Sequence, residues 1–457
     1  MFFVKIIPKK GHFKLHKTLL NIFLLTSLAS ITHAGFFDDY NQTAQNFRAN
    51  VTQPITEETL KFLDKKAKGS DAALYLLEKA RLQQTNHQYE ESEKSFEAAF
   101  VLLEQRNNKA KISASELGFK ALSIVSNDSV IPYKIPEYEQ VLAHVYQAIN
   151  FIALNNTESA GVEMRIAQRI QREIELAHTK ETEKAKQKAG TDTSESLDEA
   201  FAGLDTIAGK VKNTYQNAYA FYMAATLWEA LGEENDALVD FKKAYELQPN
   251  EFIKNDVKRL DSASNKKSGQ YPVVIFLEQG LVPQKISNTL ALPTPDGLVN
   301  ISFASYNPST YSSPASLQVL VNGRSVTNTS TLTDIGALAV KTLKENVAAN
   351  MATQITRTTA KYMVQKELGN RLGAIGQIAG NIYNTASEKA DVRAWNTLPG
   401  NAQFARLTLP AGTHTIQLRN AYTVQEISID VKPNQTVFIH GIDANQEILT
   451  DSFSITH

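Results

Sequence analysis

Two periodicities divide the chain. Up to about Asp261, apolar residues recur at the three-to-four spacing of an amphipathic helix; after Gln270 they alternate at period two. The sharpest helical segment is 218–250. Phe221, Ala225 and Trp228 lie along one predicted helix, and Ala237, Phe241 and Ala244 along the next. Gly232 sits where the first helix must end, and glycine adopts the left-handed geometry of a helix stop without strain. Pro249 ends the second helix. Small Ala225 and Ala237 let the two helices approach, while Trp228, Phe241 and Tyr245 fill the seam.

The positions of Phe221, Ala225, Trp228, Gly232, Ala237, Phe241, Ala244 and Pro249 resemble a tetratricopeptide repeat (TPR). Such a helix–turn–helix buries its apolar face only by stacking on neighbours. Weaker copies lie upstream. Tyr89, Phe96 and Ala99, with Ala80, make one; Ala148, Phe151, Ala160, Met164 and Ala167 make another. Ala99 and Ala167 are separated by two repeat lengths, so a middle unit is expected between them. The spacing from Ala167 to Ala244 breaks that register. The expectation is a degenerate array of three or four units.

Past Gln270, VVIFLEQG reads as a buried strand and LVNISFASY as an alternating one. Asn322-Gly323 marks a tight hairpin. Alternating strands flank Pro410-Ala411-Gly412, and two more flank Pro433-Asn434. Short strands at this spacing predict an antiparallel β-sandwich-like domain. Between the two strand groups, 335–391 reads as an inserted helical hairpin. Its Gly369, Gly373, Gly376 and Gly380 stand at the spacing that lets helices approach closely, yet its uncharged run is too short to span a bilayer. Packing within the chain, self-association and membrane-surface contact are its three readings.

The predicted fold class is therefore α+β and multidomain. Residues 1–34 form a signal peptide and 35–262 a TPR-like helical domain with a charged insertion at about 178–200. A linker follows at 263–270. Residues 271–334 and 392–457 form the β-sandwich-like domain around the hairpin. Residues 1–34 carry five Lys and no acid, then a short apolar run, Leu19–Ile31, before Thr32-His33-Ala34. That is the layout of an export signal, with an uncleaved anchor as the alternative. Without those residues the balance is 42 basic to 48 acidic, net −6, which argues against a nucleic-acid partner. The chain has no cysteine, so it forms no disulfide and bears no lipid on a cysteine.

The segment 126–169 resembles a family of exported bacterial proteins, often lipoproteins, with degenerate TPR-like repeats. The resemblance rests on Asn127-Asp128, Pro132-Tyr133, Tyr138-Glu139 and Glu163 with Arg165, and on 390–414 near the C-terminus. It implies the cell envelope and no established activity, with a link to envelope or peptidoglycan-synthesis machinery. The stretch LTLPAGTHTIQLRN is also similar to one hairpin of the surface-exposed sandwich repeats called PEGA domains.

No nucleophile elbow, phosphate-cradling loop or His-Glu-x-x-His pair occurs, and no metal or cofactor is expected. The resulting expectation is a non-enzymatic periplasmic or outer-membrane-associated scaffold holding a protein or peptide partner. Tyr146, Tyr219 and Tyr222, on the first helices of their units, are candidates for the concave groove, since tyrosine offers large contact area with few rotors. Asn127, Asp128, Tyr133 and Tyr138 crowd a proline-broken loop, as turn formers or as polar ligand contacts. Asp391, Arg393 and Trp395 alternate and read as a docking contact between domains. Two further readings stand beside the scaffold. One is a membrane-associated or self-assembling protein acting through the hairpin; the other is a cell-wall enzyme using Asp128 and Glu139.

Overall fold

The computed structural model describes residues 35–113, 132–186, 203–261, 269–294, 297–346 and 390–456. The chain divides into Met1–Asn46 and Phe47–His457. The first unit contains the start of helix α1 (Gly35–Ala49). The signal-peptide reading of 1–34 lies outside the described residues, as do 114–131, 187–202, 262–268 and 347–389.

Phe47–His457 is α+β. Its helices are α2 (Glu57–Lys66), α3 (Ala72–Thr85), α4 (Tyr89–Ser113), α5 (Glu137–Ala153), α6 (Thr157–Lys186), α7 (Leu204–Ala208), α8 (Ala218–Ala230), α9 (Glu234–Leu247) and α10 (Glu251–Asp261). Helices α3–α4, α5–α6 and α8–α9 pack as successive pairs. All thirteen residues of α8 are buried, as is most of α3 and α5. A helix buried on every side needs cover on two faces, and the second helix of each pair supplies only one. The β-sheet supplies the other.

The residues singled out at 218–250 take the expected places. Ala225, Ala237, Phe241 and Ala244 are fully buried, and Phe221 and Trp228 nearly so. Trp228 donates from its indole nitrogen to Asp240 at 2.8 Å, and the Tyr222 and Phe241 rings stand 5.1 Å apart. Gly232 has φ +79°, and a Cβ there would meet nothing within 4 Å. The cost of a side chain at this position is therefore conformational alone. Gly232→Ala is expected to destabilise the protein by about 1 kcal/mol, and Gly232→Asn by less. Thermal unfolding of the three proteins checks the order.

The strands are β1 (Gln270–Gln279), β2 (Lys285–Thr294), β3 (Gly297–Tyr306), β4 (Gln318–Val321), β5 (Arg324–Asn328), β6 (Ser330–Asp334), β7 (Asn401–Pro410), β8 (Gly412–Arg419), β9 (Val424–Val431), β10 (Gln435–Ala444) and β11 (Glu447–Thr456). They form a five-stranded sheet, β11-β10-β1-β7-β6, a four-stranded sheet, β5-β4-β8-β9, and the hairpin β2-β3. Between β6 and the undescribed 347–389, residues 335–346 form helix α11.

Two expectations are corrected. The larger sheet is mixed, not antiparallel, because β1 and β10 run parallel, with Val273 opposite Val437. The single hairpin that LTLPAGTHTIQLRN resembles does not form, and the strands expected on either side of Pro433-Asn434 do not pair with each other. In each case the chain leaves one sheet for the other: β7 pairs with β1 and β6, whereas β8 pairs with β4 and β9. Gly412 at φ +135° and Asn434 at φ +58° carry these changes of sheet. Asn322 and Gly323, both at positive φ, do close a hairpin between β4 and β5.

Strand β1 is the centre of the unit. Its odd-numbered side chains, Val273, Ile275 and Leu277, join Val319, Ile416, Leu418, Ile429 and Ile439 in a core drawn from both sheets. On the other face, Phe276 lies against Tyr219 and Tyr222, at 5.8 and 6.1 Å between ring centres. Burial on both faces explains the near-continuous apolar run of β1. Of the linker expected at 263–270, residues 263–268 lie outside the described residues, and Gln270 is the first residue of β1.

Candidate functional site

The five described tyrosines expected to meet a partner are all buried, at 4 % exposure or less. This corrects the groove assignment of Tyr146, Tyr219 and Tyr222, and the ligand-contact reading of Tyr133 and Tyr138. The inner faces of α3, α5 and α8 are covered by the chain's own sheet and by the segment 390–398. Asn127 and Asp128 lie outside the described residues. The tyrosines mark instead three polar clusters along the helix–sheet seam.

The central cluster holds Arg81 of α3, Glu278 of β1 and His440 of β10. The Arg81 guanidinium donates to Glu278 at 2.5 Å, and His440 Nε2 lies 3.0 Å from the same carboxylate. Arg81 stacks 3.9 Å from the Tyr146 ring centre and donates to Gln84, whose amide donates to the Tyr146 carbonyl and to Asn150. The Tyr219 hydroxyl faces Glu278 at 3.5 Å. Burial opposes ionisation of Glu278, but Arg81 and His440 outweigh it and hold the carboxyl below its ordinary range.

The second cluster fastens α8 and α10 to β7. Glu229 accepts from Arg259 at 2.7 and 2.8 Å and from Arg406 at 2.8 Å. Asp256 accepts from the Tyr222 hydroxyl at 2.7 Å and pairs with both arginines.

The third cluster is built on the segment 390–398. Glu78 of α3 accepts from the backbone N–H groups of Asn396 and Thr397, at 2.6 and 3.1 Å, and from the Thr397 hydroxyl at 2.7 Å. Glu139 of α5 accepts from the hydroxyls of Tyr133 and Tyr138, at 2.9 and 3.1 Å, and from the Trp395 backbone. Between them, Trp395 is wholly buried against Phe96 and Tyr146. Arg393 bridges Asp391 and Asp71, so the alternating Asp391–Arg393–Trp395 motif ties this segment to α3. Burial pushes the carboxyls of Glu78 and Glu139 up to about 7, against the pull of their hydrogen bonds. Burial likewise lowers the Lys285 ammonium near Glu139.

The sequence reading passed over Arg81, Glu78, Glu278, Glu229, Asp256 and Arg406. A local signal existed for some of them. Glu278 is a lone acid inside an apolar strand, and Arg406 stands between Ala405 and Leu407. A charge at such a position is buried with its partner or not at all.

One open cleft lies at the sheet edge formed by β6, with a volume of about 250 Å³. It is lined by Lys210, Lys212, Gln248 and Leu247 from the helical side, and by Thr331, Asp334 and Leu338 from β6 and α11. Among the described residues, no group of His, Asp or Glu is arranged to hold a metal ion, and no helix is long and apolar enough to cross a membrane. Comparison with protein-family models, with curated proteins and with solved structures finds no match in any of the three.

Proposed function

We propose that this protein is an exported, non-enzymatic scaffold of the bacterial cell envelope. It holds a protein or peptide partner on the outer surface of a degenerate TPR-like array, whose inner surface rests on a β-sandwich-like unit. The observation that carries the reading is the complete burial of α8, together with the pairing of the seam's charged groups with one another. The seam of an array whose inner face is already occupied holds the molecule together and leaves the outer helices for partners. Those helices carry the exposed apolar side chains Val101, Val162, Leu176 and Val239, the last two at 65 % exposure. Export is supported by the basic start and short apolar run of residues 1–34.

The test combines fractionation with site-specific photocrosslinking. Crosslinkers at Val162 and Val239 are expected to capture one discrete partner in the envelope fraction, and a crosslinker at Val326 on β5 is not. Retention of the full chain in the cytoplasm, or capture only from Val326, overturns the proposal.

A further inference from the structure

The cleft beside β6 has the chemistry of a ligand site, and its cations are the first indication. Lys210 Nζ donates to the Tyr311 hydroxyl at 2.8 Å and to Ser313 Oγ at 3.0 Å, and it lies 4.6 Å from the Tyr311 ring centre. Lys212 Nζ donates to the Glu246 carbonyl, and Lys341 Nζ to the Val211 carbonyl at 3.1 Å. Each of the three ammonium groups thus rests on neutral oxygens. Among the described residues none of the three has a carboxylate within 4 Å, the distance that defines an ion pair. Elsewhere in the molecule lysines such as Lys79, Lys243 and Lys344 are paired with acids.

The lining carboxylate forms no ion pair with these lysines, although it lies near enough to Lys210 to feel its charge. Asp334 accepts from the Tyr311 hydroxyl at 2.5 Å with one oxygen and from the Ala337 backbone N–H at 2.8 Å with the other. It is held as the cap of α11. The Gln248 amide and the Thr331 hydroxyl line the cleft and form no hydrogen bond among the described residues. Leu332 and Leu338 give it an apolar floor, each 1 % exposed.

We propose that this cleft binds a monoanionic carboxylate carrying an apolar group, with Lys210 and Lys212 receiving the anion. The charge follows from the two lining lysines, neither of which is ion-paired with a carboxylate among the described residues. The single negative charge follows from Asp334 on the wall, which offsets part of the charge of the two lysines and leaves about one positive charge to be met. The apolar group follows from the leucine floor, and the size from a volume below the range of drug-sized pockets. A peptide C-terminus and a free carboxylic acid share this chemistry. The site goes beyond the scaffold reading and does not depend on it.

Calorimetric titration of the full chain tests the proposal with four probes: N-acetyl-leucine, a hexapeptide ending in a free leucine, the same peptide amidated, and inorganic phosphate. The free acids are expected to bind and the amide to bind about tenfold more weakly, the worth of one charge-assisted hydrogen bond. Lys210→Ala/Lys212→Ala, at two exposed positions, is expected to weaken the acids by at least about tenfold with an unchanged thermal midpoint. Equal affinity for N-acetyl-leucine and the acid peptide assigns a small-acid site; tighter binding of the peptide assigns a chain terminus. Phosphate binding more tightly than either acid, equal affinity for acid and amide, or binding unaffected in the double variant overturns the proposal. A variant with a lowered midpoint is replaced by Lys210→Gln alone, for which the same loss is expected.

Discussion

Arg81→Met is expected to destabilise the protein by about 3–5 kcal/mol, the cost of leaving one half of a buried ion pair without its partner. The substitution keeps a long apolar stem in α3 and removes the charge that faces Glu278 across 2.5 Å. Glu278 is then left, fully buried, with His440 and the distant Tyr219 hydroxyl. Gln84 loses a donor at the same time and its contacts to α5 loosen. The double variant Arg81→Met/Glu278→Leu removes both charges, and most of the lost stability is expected to return. Urea unfolding of wild type, the single variants and the double variant forms a complete cycle. If the double variant is no more stable than Arg81→Met, the ion pair is not what fixes the seam and packing around Tyr146 is.

The second large effect is a fall in stability as the pH rises from about 4.5 to about 7. Glu78 and Glu139 carry it. In the unfolded chain each titrates at its ordinary value of 4.5; in the folded chain each is raised to about 7. Between those values the folded protein holds a proton that the unfolded chain has released. Raising the pH through this window therefore costs stability, and the loss levels off above about 7. At about 1.4 kcal/mol per pH unit, the span corresponds to about 3 kcal/mol for each carboxyl. Asp240, raised to about 6 by burial, acts in the same sense. His87, raised by its hydrogen bond to Asp451, also adds stability at low pH that is lost as the pH rises.

On the acid side Glu278 and Glu229 set the limit. Both are lowered in spite of burial, so their contribution is present above the ordinary carboxylate range and lost as the pH falls through their folded values. On the alkaline side the lowered Lys285 titrates in the opposite sense to Glu139. Denaturant midpoints across the pH range measure the slope, and Glu78→Gln is expected to remove about half of it. An unchanged slope in that variant shows that the clasp on 396–397 is not the titrating element.

Much of the fold was legible because it is local. Gly232, Trp228 and Phe241 announce their helical pair through spacing and size, and Asn322-Gly323 announces its turn through backbone geometry. What was not legible is what each surface meets. Tyr146 and Tyr219 lie on a mixed apolar and polar helix face, and that pattern is the same whether the face receives another protein or the chain's own strand. Arg81 and Glu278 are 197 residues apart, and nothing near either names the other. The changes of sheet at Pro410 and Pro433 were hidden for a related reason. Alternation shows that a strand has two faces, but the choice of edge partner is made by distant strands, here β1 for both β7 and β10.

The parallel pairing of β1 with β10 has a consequence for the order in which the molecule is made. Strand β10 begins at Gln435, near the end of a 457-residue chain. Every helix from α1 to α10 is synthesised before β1 appears, and β1 itself waits for about 160 further residues before its parallel neighbour arrives. During that interval β1 can pair with β7, but it lacks β10 and with it His440, which shares Glu278 with Arg81. A ribosome halted before Gln435 releases a chain with every described helix and all four strands of the smaller sheet, but with one edge of β1 unpaired, a species of the kind that chaperones hold and proteases clear. The larger sheet is thus completed only when β10 and β11 have been made.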